Sequence, residues 1–154
     1  MKSVDTLSKD FEKWADKLTN NLTKAQDASA DDVLNYLKMN VNWDTGEFCE
    51  SIKRTPTMEI DGHLITGIGS NMEVVSSSGK RYNLGQLLEH GTSPHLIEPV
   101  NSEYLVFEID GKKIFTKRVQ HPGTVAYNNY ARAMQENEQM HLQRLSEAVR
   151  EAFK

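Results

Sequence analysis

The sequence predicts an α+β domain: an antiparallel β-sheet with an N-terminal amphipathic helix, short connecting helices and a long C-terminal helix. Three observations carry this. Apolar residues recur at spacings of three and four near both ends of the chain, which is the helical period. Between Lys53 and His121 the runs are short, rich in β-branched residues and partly alternating. Asp61-Gly62 and Asp110-Gly111 stand between such runs, and this pair of residue types favours two-residue hairpin turns. At 154 residues the chain has the usual size of one domain. We expect a single domain over 1–154, with an N-terminal helix over 1–27, a sheet core with short helices over 43–124 and a C-terminal helix over 125–153. The order helix–sheet–helix places the helices on one face of the sheet.

In the first helix Val4, Leu7, Phe11, Trp14, Leu18 and Leu22 form one stripe between charged faces. The stripe is narrow, so it packs either on the domain's own sheet or on a neighbouring subunit. Asp27 to Asp32 breaks the pattern, and Ser29 with Asp32 three residues on resembles a helix N-cap. A short helix is expected through Val33, Leu34 and Leu37. Another begins at Asp44 or Thr45, with Glu47 in its first turn and Phe48 and Ile52 on one face.

The period then changes. Residues 57–61, 63–68 and 72–75 read as strands, with Asp61-Gly62 and Gly69-Ser70-Asn71 as turns. Ser76 to Arg81 has the composition of a mobile loop. Tyr82 to His90 reads as a helix capped by Asn83, with Gln86 at the third position and Gly91 ending it in the left-handed conformation. Thr92 to Asn101, with Pro94 and Pro99, should be extended. Residues 105–109 and 114–119 form the clearest hairpin, and His121-Pro122-Gly123 stops the sheet. In the last helix Tyr127, Tyr130, Met134, Leu142, Leu145, Val149 and Phe153 follow helical spacing. Residues 135–139 are polar all round and should face solvent.

Composition excludes several function classes. Hydrophobic residues make up 38% of the chain, enough for one core, so global disorder is not expected. The net charge of −4 argues against wholesale phosphate-backbone binding, which needs a basic face. A single cysteine, Cys49, cannot form an intrachain disulfide. It reads as a small half-buried residue on a short helix. The first residues lack the apolar core of a signal peptide, and no stretch approaches a membrane span. The sequon Asn21-Leu22-Thr23 is therefore not expected to be used.

Catalytic signatures are sparse. Of the five histidines, His90, His95 and His121 lie in loops or at an element end, near Glu89 and Glu98 in sequence. A zinc enzyme wants three such ligands, but no pair has the one-turn helical spacing of a metalloprotease. Proline-rich surroundings account for them equally well as loop anchors. Gly67-Ile68-Gly69 lacks the third glycine of a dinucleotide loop, no phosphate-binding loop occurs, and Ser51 has no nucleophile elbow around it. Lys53-Arg54, Lys80-Arg81, Lys112-Lys113 and Lys117-Arg118 sit in or beside hairpins. They are either a charge-mixed solvated surface or, if they share one face, a local basic patch.

Three clusters stand out together. The first is Thr45-Gly46-Glu47-Phe48-Cys49-Glu50-Ser51-Ile52. The second runs from Tyr82 to Pro99 and contains Glu89, Gly91, Thr92, Pro94, His95, Ile97 and Pro99. The third joins Leu105-Val106-Phe107 to Phe115-Thr116-Lys117-Arg118-Val119-Gln120-His121-Pro122-Gly123-Thr124. In this order they resemble the tail-completion or neck (head-tail joining) proteins of long-tailed bacteriophages and prophages. That family has a Thr-Gly-x-Leu-x-x-Ser-Ile helix start and a Tyr-led helix ending in Glu-x-Gly-Thr. A Pro-His-x-Ile-x-Pro stretch follows, then an apolar Leu-x-Phe strand and a strand ending in Lys-x-Val-x-His-Pro-Gly-Thr. Phe48 stands where the family has Leu. Val125 to Ala131 replaces the family's Pro-Phe-Leu-x-x-Ala. The resemblance spans about residues 43–124.

The resemblance implies a structural virion protein, not an enzyme, that forms a ring in head-tail joining or tail completion and needs no cofactor. Its partners would be itself and adjacent neck, tail-terminator or tail-tube proteins, with transient contact to genomic DNA and none to a membrane. It would reside in the virion, and in the host cytoplasm before assembly. The candidate subunit-interface residues are Gly91, Thr92, Pro94, His95, Ile97, Pro99, Lys117, His121, Pro122, Gly123 and Thr124. Proline lowers the entropy cost of ordering such arms. The candidate DNA-facing residues are Lys80, Arg81, Lys112 and Lys113. Two other readings stay open: a small nucleic-acid-binding module, marked by salt-sensitive DNA binding, and a metal-dependent hydrolase on His90, His95 and His121, marked by stoichiometric zinc.

Overall fold

The computed structural model describes residues 4–40, 46–76 and 78–154. The fold is α+β. The described residues form helices α1 (Val4–Asn40), α2 (Glu47–Ser51), α3 (Leu84–His90) and α4 (Asn129–Ala152). The strands are β1 (Lys53–Arg54), β2 (Met58–Ile60), β3 (His63–Ile65), β4 (Ile68–Gly69), β5 (Glu73–Val75), β6 (Arg81–Asn83), β7 (His95–Ile97), β8 (Leu105–Ile109), β9 (Lys112–Thr116) and β10 (Val119–His121). No described helix is long and apolar enough to cross a membrane. The chain divides into two compact units, Met1–Gly69 with Tyr130–Lys154, and Ser70–Asn129.

The first unit is built on α1 and α4, which run antiparallel. Trp14 meets Phe153 at a ring separation of 5.2 Å, Asn21 donates to the Ala148 carbonyl, and Arg144 reaches Asp32 at 2.6 Å. The expected break at Asp27–Asp32 does not occur, because these polar residues are engaged elsewhere. Ser29 Oγ donates back to the Ala25 carbonyl at 2.9 Å, a bond within the helix and not a cap. Asp27 and Asp31 take Arg54, and Asp32 takes Arg144. One continuous helix therefore replaces the two expected ones.

The helix core consists largely of small residues. Ala25, Ala30 and Val33 of α1 and Ala133, Ala148 and Ala152 of α4 are buried. This corrects the stripe expected for the last helix: Met134, Leu142, Val149 and Phe153 are exposed, and α4 starts at Asn129, not Val125. Leu37, Phe48 and Ile52 supply the larger core side chains, with Leu37 at 1% and Ile52 at 0% exposure. Phe48 and Ile52 share a face as the spacing predicts. Gly46 holds the N-cap position of α2 at φ 71° with no side-chain cap. The expected caps Asp44 and Thr45 lie outside the described residues.

The strands do not form one sheet. They pair as five separate two-stranded antiparallel ribbons: β1–β4, β2–β3, β5–β6, β7–β10 and β8–β9. Two expected hairpin turns are present. Asp61 and Gly62 adopt φ 52° and 77°, and Asp110 and Gly111 adopt 50° and 75°. Positive φ at both central residues suits the right-handed twist of the flanking strands. Gly69-Ser70-Asn71 does not make a hairpin, because β4 pairs back with β1 while β5 pairs with β6.

In the second unit Ser76 to Lys80 is a hydrogen-bonded turn, where composition predicts a mobile loop. Ser76 N donates to Lys80 O at 2.8 Å and Gly79 N to Ser76 O at 2.9 Å. Ser77 lies outside the described residues. Tyr82, expected in a helix, lies in β6, and α3 begins at Leu84. Asn83 caps α3 as expected, its side-chain oxygen accepting from Gln86 N at 3.1 Å. Among the described residues of this unit only Ser70 and Gly85 are buried.

Candidate assembly interface

The arm residues singled out in the sequence converge on one clasp in the second unit. It starts where α3 ends. Gly91 has φ 70° but ψ −175°, an extended backbone and not the expected left-handed helical one. That region belongs almost exclusively to glycine. The chain turns there into Thr92, which pairs with Thr124 as an isolated antiparallel bridge. Thr92 N donates to Thr124 O at 3.0 Å and Thr124 N to Thr92 O at 3.2 Å. Thr124 N also reaches Thr92 Oγ1 at 2.9 Å, and the two hydroxyls lie 3.1 Å apart.

Two glycines make this approach feasible. A Cβ on Gly91 would collide with Thr124 O and stand 2.8 Å from Ala126 N. A Cβ on Gly123, at φ 86°, would collide with Thr92 O and stand 2.9 Å from the Ser93 carbonyl carbon. Each glycine leaves room for the other strand's main chain. Beyond the bridge, Tyr127 N and Asn128 N donate to Leu88 O and Glu89 O at 3.0 and 3.2 Å. These bonds satisfy carbonyls at the end of α3 that the helix itself leaves open.

On the other side the clasp continues into β7–β10, where His95 faces His121, Leu96 faces Gln120 and Ile97 faces Val119. The two imidazoles lie 5.0 Å apart, centroid to centroid. His95 Nδ1 is 2.9 Å from the Ser93 carbonyl, so it is the donor and carries the proton. His121 Nδ1 accepts from Gly123 N at 3.1 Å, so in the neutral ring the proton sits on Nε2. The main chain thus sets opposite tautomers in the pair. A neutral His121 in this form offers a metal no lone pair at Nε2. Among the described residues no group of three or more His, Cys, Asp or Glu is placed to hold a metal ion, so His90 does not complete a site with His95 and His121.

Gly91, Thr92, Pro94, His95, Ile97, His121, Pro122, Gly123 and Thr124 therefore belong to one structure. Two candidates do not. Pro99 lies two residues past β7. Lys117 lies between β9 and β10, 3.8 Å from Glu103 and over the Tyr104 ring. The basic candidates are divided between two ribbons. Arg81 is on β6 and pairs with Glu73 at 3.0 Å, and Lys80, in the turn before β6, lies over Tyr82. Lys112 and Lys113 are on β9, facing Ile109 and Glu108. Cys49 is half-buried, and burial raises its thiol above the ordinary value, which keeps it protonated and poorly nucleophilic.

The first unit holds two features that the sequence did not disclose. A cavity of about 480 Å³ opens between α1 and α4, walled by Ala30, Val33, Ile68, Met134 and Leu142 and edged by His141. His141 Nδ1 is buried there without a hydrogen-bond partner. The second is a polar cluster on Asp27, which accepts from Arg54 at 2.9 Å, Thr57 Oγ1 at 2.8 Å and Thr57 N at 3.3 Å. Since the carboxylate only accepts, the Thr57 hydroxyl donates to it, and Thr66 donates to Thr57 at 2.6 Å. The Thr57 hydroxyl, helped by its amide and by Arg54, lowers the Asp27 pKa. Partners 27 to 30 residues apart leave no periodic trace in a sequence.

No family model, no curated protein and no solved structure matches the chain.

Proposed function

We propose that the chain is a structural virion component of a tailed phage, acting in head-tail joining or tail completion as a self-assembling ring subunit in the neck or tail. The observation that carries this is the second unit, which buries no apolar side chain among its described residues. Val74, Val75, Tyr82, Leu96, Val106, Ile109, Phe115 and Val125 are among its exposed large side chains. Large apolar side chains left exposed on one unit are surface that a partner can cover. A second support is the clasp, which coincides with the arm that the phage-family resemblance singles out. It is a main-chain structure closed by hydrogen bonds between Thr92 and Thr124. Head-to-tail contacts between such subunits close into rings.

On this reading the partners are further copies and the neighbouring neck, tail-terminator or tail-tube proteins, and the protein turns over no substrate. Light scattering across a concentration series, with negative-stain images of the same fractions, tests it. Discrete closed rings are expected. A strict monomer at the highest soluble concentration, also in the presence of purified phage heads and tails, overturns the reading.

A further inference from the structure

Among the described residues the β8–β9 ribbon is the longest, and no described strand pairs with either of its edges. Its exposed apolar residues include Val106 at 57% and Phe115 at 62%. A two-stranded ribbon with apolar residues on open edges is marginal in water alone and a template for another strand.

The register decides which groups the edges offer. The two-residue turn Asp110-Gly111 makes Ile109 and Lys112 the hydrogen-bonded pair that closes the hairpin. Antiparallel pairs alternate between bonded and non-bonded. The main-chain groups of Phe107 and Leu105 therefore point inward, with those of Ile114 and Thr116. The main-chain groups of Val106 and Glu108 point out along one edge, and those of Lys113 and Phe115 along the other. Within the ribbon these same residues already face each other, Val106 with Phe115 and Glu108 with Lys113. An incoming ribbon in the same register would meet outward main-chain groups with outward main-chain groups. It would also set carboxylate against ammonium and aliphatic against aromatic.

We infer that the β8 edge of one copy pairs antiparallel with the β9 edge of the next, Glu108 facing Lys113 and Val106 facing Phe115, so that the ribbons join into one continuous intersubunit sheet. The partner is a second copy because the two edges complement each other in charge and in hydrogen-bonding phase. This rests on the self-assembly reading above. The contact is head-to-tail, which is the type that closes into rings.

The test uses charge reversal in the full chain. E108K alone sets lysine against Lys113 of the next copy, and K113E alone sets glutamate against Glu108. Each variant should associate at least about tenfold more weakly than the wild type, since like charges directly opposite destabilise a pair. Mixed in equal amounts, the two variants should assemble to within about threefold of the wild type, because every alternating contact is again opposite in charge. Within each chain the ribbon keeps its like-charge pair, so rescue on mixing reports only the contact between copies. Amide exchange gives a second readout that needs no variant: Val106, Glu108, Lys113 and Phe115 should gain protection on assembly. Rings formed equally well by both single variants, or those four amides exchanging freely within rings, overturn the ribbon contact and leave self-assembly standing. A wild type that never associates overturns both.

Discussion

The two units reach order by different means. The first buries apolar side chains: small ones on its two long helices, Ala25, Ala30, Ala133, Ala148 and Ala152, and the larger Leu37, Phe48 and Ile52. The second has a main-chain clasp, a capped helix and three ribbons, with no buried apolar side chain among its described residues. Hydrogen bonds add only about 1 kcal/mol each to stability, whereas a buried large apolar side chain contributes about 1.5–3. A unit organised mainly by hydrogen bonds and glycine geometry leaves its large apolar side chains exposed. The comparison teaches that the first unit supplies stability and the second supplies surface.

The contrast breaks first in the core. Ile52→Ala should cost about 2–5 kcal/mol, read as a fall in the denaturation midpoint. A loss below about 1 kcal/mol would show that the core around Ile52 does not anchor the fold. The next effect belongs to the clasp. Gly123→Ala forces a side chain into positive φ, which costs about 1–3 kcal/mol before its collision with Thr92 O is counted. Amide exchange should show Thr92 and Thr124 losing protection while Leu37 keeps it. Global unfolding instead would mean that the units are not separable. Asn83→Ala removes the α3 cap and should cost about 1 kcal/mol, seen as faster exchange at Gln86.

Acid sharpens the comparison. The Asp27 pKa is lowered in the fold, so its contribution is present above the ordinary carboxylate value of 3.8 and is lost as pH falls through the lower folded value. Asp27→Asn should flatten the acid limb of the stability profile of the first unit, measured by its helical circular dichroism. An unchanged profile would show that the cluster with Arg54 and Thr57 carries no proton linkage. The smallest effect should come from Val106→Ala, within about 0.5 kcal/mol for the free chain, because its side chain already faces water.

Local rules were legible where the local chemistry is decisive. Asp61-Gly62 and Asp110-Gly111 gave their turns, Asn83 gave its cap, and Phe48 and Ile52 gave a buried face. The same rules failed where a distant partner intervened. Ser29 and Asp27 have the composition of a break, but Arg54 and Arg144 occupy the carboxylates around them, and the helix runs through. In the last helix the spacing of the large residues points to one stripe, whereas the residues buried are Ala133, Ala148 and Ala152. Gly91 and Gly123 could be flagged as a turn or a stop. That each vacates space for the other's strand follows only from the pairing of Thr92 with Thr124.

The length of α1 has one more consequence. At about 1.5 Å per residue, its 37 residues make a rod of roughly 55 Å. From Trp14 onward that rod lies against other parts of its own unit, but Val4, Leu7 and Phe11 stand in solvent, with Phe11 at 66% exposure. So short a piece would melt if cut free, since helices below about 12–15 residues are marginal alone. Its order is lent by the stretch behind it. The overhang Val4–Phe11 measures roughly 12 Å, about one helix diameter. That sets a tolerance on whatever it meets: a neighbour one helix width away can be gripped, and one two widths away is out of reach.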